Sequence, residues 1–164
     1  GSCGGGGGSS PTTPTVTQAP TPAVALTATG EGNLVLHPSL DSRFYFALEA
    51  PVRITETGGG TADWNFARIQ FFKRGAENER YELGADAIER AGYKRISARS
   101  NQLYTLVFRN NDENFDDVTI TMGFTDLKDA RQFTVSNVSG WTDVAVSFTP
   151  LSVPPGGTVR SSKP

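Results

Sequence analysis

The stretch VTITMGF, residues 118–124, sets the tightest limit on what this chain folds into: Val118, Ile120, Met122 and Phe124 alternate with Thr119, Thr121 and Gly123. A period of two puts the apolar set on one face of an extended strand, whereas a helix scatters it around its axis. Tyr104, Leu106 and Phe108 alternate in the same way just before it, and the intervening RNNDENFDD is dense in turn formers. Two such runs about such a turn predict an antiparallel pair.

Similar runs recur at VALTAT, NLVLH, RFYFALE, PVRITE, WNFARIQFFK, RYELG, KRISA, RQFTV and DVAVSF, most of them parted by Gly, Pro, Asn or Asp. Many short strands with frequent turn signals predict an all-β fold, an antiparallel β-sandwich at this length. Ten Phe, four Tyr and two Trp supply the bulk for one such core. Two short helical turns interrupt the strands. In ADAIERAGY, Asp86 is placed to cap with Glu89 three residues on, and Gly92 to end the turn; DLKDAR, residues 126–131, reads as a second single turn. In WNFARIQFF, Trp64 and Phe66 share one face and Ala67, Ile69 and Phe71 the other, so a bulge near 66–67 is expected to bring both sets inward, against the alternative of a strand apolar on both faces and covered by a loop. The run Gly58–Gly60 before it marks a wide loop or another irregularity.

The segment YTLVFRNNDENFDDVTITMGFTD resembles the strand–turn–strand core of immunoglobulin-like modules found in bacterial surface and secreted proteins. That resemblance implies an immunoglobulin-like sandwich serving adhesion, spacing or ligand display. It lends no functional residue, and the Cys…Trp…Cys pattern of antibody-type domains is absent.

Outside this pattern lie two tails. Residues 1–23, GSCGGGGGSSPTTPTVTQAPTPA, carry no charge and one Val, so they read as a disordered tether, flexible in its glycines and stiffened toward polyproline II in its prolines. The sandwich domain is expected over 24–153 and a flexible tail over 154–164. The only cysteine, Cys3, stands at the head of the tether. A Cys followed by a Gly/Ser/Thr/Pro tether is similar to the start of mature bacterial lipoproteins, and the resemblance implies lipid attachment at Cys3 and an exported protein anchored to the cell envelope. No apolar run approaches the ~20 residues that span a bilayer, so the membrane is expected as a partner only through that lipid.

Composition excludes several classes of chemistry. One Cys permits no internal disulfide, and one His leaves little scope for a soft-ligand metal cage. A net charge of −2 gives no field to draw nucleic acid. His37, Ser39 and Asp41 contain the residue types of a hydrolytic triad, but three members within five residues cannot reach triad geometry, and His37 reads as a loop residue before Pro38. No phosphate-binding loop, nucleophile elbow or zinc motif is present. No cofactor is expected, and an enzyme is not.

Two candidate sites remain. Asp112, Glu113, Asp116 and Asp117 crowd one turn and offer hard oxygen ligands for calcium, against the alternative of a solvated acidic loop. Trp141, in the turn NVSGWTD, is the candidate for stacking on a sugar, whereas Trp64 heads an apolar run and belongs to the core. Charge is also uneven: from Asn110 to Thr149 there are two Lys/Arg against seven Asp/Glu, although strand pairing can interleave that excess with basic segments. The expected function is a non-enzymatic surface or periplasmic module for adhesion, envelope architecture or protein interaction, its partner an unknown protein or glycan. The alternative is a carbohydrate-binding accessory domain using Trp141.

Overall fold

The computed structural model of the chain describes residues 20–151 and the backbone of 159–160. Cys3 and nearly all of the tether and C-terminal tail lie outside the described residues. Strands β1 (Leu26–Gly30), β2 (Leu34–Pro38), β3 (Phe46–Glu56), β4 (Ala62–Lys73), β5 (Ala76–Leu83), β6 (Arg95–Ile96), β7 (Asn101–Asn110), β8 (Asp117–Asp126), β9 (Arg131–Val138), β10 (Val144–Val146) and β11 (Val159–Arg160) are joined by one helix, α1 (Ala85–Arg90). They form two sheets packed as a sandwich. One runs β9-β8-β4-β5, with β6 also on β4; the other runs β10-β2-β3-β7-β11, with β1 also on β3.

The expected alternation builds the core. Leu48, Ala50, Val52 and Ile54 of β3 and Tyr104, Leu106 and Phe108 of β7 face Trp64, Ile69 and Phe71 of β4 and Ile120, Met122 and Phe124 of β8, all buried. Trp64 stacks on Phe124 at 5.7 Å and meets Tyr104 edge-on at 5.3 Å. At roughly 3 to 5 kcal/mol for truncating a buried aromatic, this cluster outweighs any surface contact in the molecule.

The strand pairing departs from the sequence expectation in one important place. The runs around RNNDENFDD are not neighbours: β7 pairs with β3 and β8 with β4 and β9, in opposite sheets. Both strands have one strongly apolar face, and placing them across the core buries both faces against each other. The six residues between them suffice to bridge sheets about 10 Å apart. One pairing is also not antiparallel. After Val138 the chain leaves the first sheet, and β10 runs parallel to β2, Val144 to Val146 beside Leu34 to Leu36.

Pro51 does not divide RFYFALE from PVRITE; both lie in the single strand β3. β1 occupies one half of that strand's margin, up to Val52, and β2 takes over at Glu49. Pro51 faces the gap between them, where its carbonyl accepts the Glu31 N–H at 3.1 Å, so its missing N–H breaks no ladder bond. Between β4 and β5, Arg74 and Gly75 both have positive φ (53° and 80°), the signature of the tight type I′ hairpin.

The bulge in β4 is present but lies between Trp64 and Phe66. It keeps Trp64 in phase with Ala67, Ile69 and Phe71 and turns Phe66 outward, contrary to the expectation that both sets point in. There the Phe66 ring covers Gly123, leaving no room for a Cβ at that position. In α1, Asp86 makes no side-chain cap; Gly84 is the N-cap, and Asp86 sits in the first turn, where its charge suits the helix dipole. Residues 127–130 do form a single turn, closed by Ala130 N–H to the Asp126 carbonyl at 2.9 Å.

Candidate functional site

The acidic turn does not assemble a cation site. Asp112 accepts the Asn114 N–H (2.7 Å) and the Asn78 amide (2.6 Å), Asp116 accepts the Arg74 N–H (3.0 Å), and Asp117 accepts the N–H of Val118 (2.9 Å). Those two donors, the Asn114 N–H first, hold the Asp112 carboxyl below its ordinary range. Among the described residues no three His, Cys, Asp or Glu side chains converge on a point where a metal could sit. The carboxylates instead order the crossing between sheets.

Trp141 is half-buried and committed to the fold on two sides. Its indole N–H donates to the Pro51 carbonyl at 2.8 Å, and its ring lies against Gly30, where a Cβ would collide with it. The sequence thus uses the bare backbone of Gly30 as the seat for the ring. Trp141 also borders a small cleft of ≈ 180 Å³ that includes Asp116, Asp117 and Asp143. The structure therefore brings the two sequence candidates to one flank, but with the indole N–H already used.

His37 lies on β2 rather than in a loop. One ring nitrogen is 2.8 Å from Glu49 and the other 3.0 Å from the Thr149 carbonyl. Ser39 bonds within its own turn to Asp41, and Asp41 pairs with Arg43 and Arg109, so no triad forms.

The residues that motif reading missed line a larger groove of ≈ 480 Å³ beside β10. Phe46, Phe115, Val144, Val146 and Phe148 give it an apolar wall, with Val146 64% and Phe148 90% exposed. It exists because β9 ends at Val138, so the first part of β8 (Asp117–Thr119) has no β9 beside it and the inner face of the second sheet overhangs. Its trace in the sequence is the spacing of Val144, Val146 and Phe148, an alternation whose last member has nothing over it among the described residues.

Two buried polar constructions lie outside this groove. The Glu56 carboxylate accepts backbone N–H groups from Ala25, Gly58, Gly59, Gly60 and Arg99. Burial pushes its pKa up, yet these donors overcome that and hold it at about 2. Arg109, also buried, donates to the Tyr81 hydroxyl at 2.8 Å, pairs with Asp41 at 3.2 Å and stacks between Phe44 and Tyr81. Both read as devices of the fold.

No protein-family model matches this chain, and no curated protein matches it. The functional reading therefore rests on the residues and their geometry.

Proposed function

We propose that this chain is a non-enzymatic module of an exported, lipid-anchored bacterial protein, and that it works by binding another protein. The observation that carries the reading is the apolar groove beside β10, where Phe148, two residues past that short strand at the margin of the second sheet, is 90% exposed. Exposed aromatic and aliphatic side chains beside a sheet edge are a recurrent protein-docking surface. An immunoglobulin-like assignment is supported by the connections: β3 to β4 and β7 to β8 each cross between sheets, and β10 returns alongside β2. The address rests on Cys3 and its uncharged tether; two signals or several acyl chains hold a soluble domain stably on a bilayer.

A photo-crosslinking residue at position 148, with one at exposed Asp129 as control, tests the docking in the cells that make the protein. Protein adducts from 148 and not from 129 are expected; adducts from neither position, or from both alike, reject the reading. For the address, Cys3→Ser is expected to move the protein from the membrane to the soluble fraction. Unchanged fractionation rejects the anchor.

A further inference from the structure

We propose that the flank formed by β10 and the β7–β8 crossing docks an extended apolar segment of a partner protein that carries Lys or Arg at one end, added as a strand along β10. The proposal rests on the protein-binding reading above and specifies the chemistry of the partner.

The backbone supplies the first half of the argument. Asp143 C=O receives the Leu34 N–H at 2.9 Å, and Ser147 N–H donates to Leu36 C=O at 2.8 Å, so those residues turn toward β2. The alternation of a strand then turns the main-chain groups of Val144 and Val146 to the opposite side. The Val144 N–H is taken by the Asp143 carboxylate at 2.8 Å, which leaves the Val144 carbonyl and the Val146 N–H and C=O along that margin. Among the described residues β10 pairs with β2 alone. A docked strand continues the ladder there and lays alternate side chains on Val146, Phe148 and Phe115.

Charge supplies the second half and selects the occupant. Glu113 borders the groove, and Asp116, Asp117 and Asp143 border the adjoining cleft, which shares Phe115 and Val144 with it. Among the described residues none of these four carboxylates is in an ion pair, and no Lys or Arg lines either depression. His37, the one lining side chain able to carry positive charge, is held by Glu49 and Thr149. The acidic excess of residues 110–149 is therefore gathered here in large part, not cancelled by cross-strand partners. The chain's own residues 1–23 carry no charge to meet it. The C-terminal segment carries two cations: Arg160, in β11 paired with β7 at the other side of the sheet, and Lys163, three residues further along the sequence. A second copy docking through the same flank brings acid against acid. A cationic, apolar strand from another protein satisfies both the backbone and the charge.

The test titrates the full ¹⁵N-labelled chain with two short synthetic peptides, each an alternating Val/Thr strand, one ending in a pair of Lys and the other in a pair of Glu. The Lys peptide is expected to shift the amides of 144–148 and residues around Phe115, with the Glu peptide inert. Phe148→Ser, at an exposed position that leaves the core intact, is expected to abolish binding. The triple change E113Q/D116N/D117N is expected to weaken it about tenfold, as rim charges do in combination. Equal binding of both peptides overturns the charge argument, and shifts elsewhere or none at all overturn the strand docking. Concentration-dependent dimers in sedimentation, lost in Phe148→Ser, assign the flank to a second copy and also overturn it. Protein adducts at position 148 with no response to the Lys peptide reject the cationic strand while leaving protein binding standing.

Discussion

Glu56 shows how much one side chain can carry. Its position at the end of β3, followed by Thr57 and three glycines, lets the chain wrap N–H groups around a carboxylate that is 2% exposed. Because the Ala25 N–H is among them, and the Val24 N–H is bound by buried Asp126 at 3.1 Å, two carboxylates grip consecutive residues where the N-terminal segment enters the sandwich. The Glu56 pKa falls from an ordinary 4.5 to about 2 in the folded protein, so the fold favours the ionised form. That contribution, on the order of 3 kcal/mol, is complete above pH about 4.5 and fades as pH falls toward 2. Asp126, also lowered, mainly by the Lys128 N–H, acts in the same sense. Glu56→Gln is expected to lose about 2 to 4 kcal/mol at pH 7 in urea denaturation. Its deficit relative to the parent should shrink toward pH 2.5; an equal deficit at both pH values contradicts the ionised clamp.

Along a single strand, β4 separates what period reading lumps together. The bulge at Asn65 resets the phase, so Trp64 is fully buried while Phe66, two residues on, lies outside over Gly123. Trp64→Ala is expected to cost about 3 to 5 kcal/mol and Phe66→Ala about 1, read by thermal or urea unfolding. Similar losses for the two would place Phe66 in the core. The alternation was legible in sequence because each strand has one dry face. The bulge's exact position was not, since Trp64 and Phe66 are equally apolar and only the register against Phe124 and Gly123 tells them apart. Pairing partners were illegible for the same reason: β7 and β8 announce their apolar faces, but those faces are satisfied equally side by side or across a core.

For the molecule as a whole, the two flanks of the sandwich are finished differently. At one, Arg109 of the second sheet reaches Tyr81 of the first and Asp41 of the 39–45 loop, closing the gap with a buried cation between two rings. Arg109→Ala is expected to cost about 3 to 5 kcal/mol in urea denaturation, because it strands Tyr81 and opens the packing, and Arg109→Met to cost less by refilling the space. Equal costs point to the charge pair alone. At the other flank, β9 stops short, β10 switches sheets, and among the described residues the groove with its acidic rim is open. Local alternation and turn chemistry were enough to dictate an all-β sandwich, its main core strands and a polar N-terminal segment, because those are decided within a few residues by which side chains avoid water. The sheet each strand joins, the outward turn of Phe66, the seat of Trp141 on Gly30 and the meeting of Phe148 with Glu113 and Phe115 in one groove depend on residues far apart in the chain. They are set only when long-range packing brings those residues together, and the candidate docking flank belongs entirely to that second group.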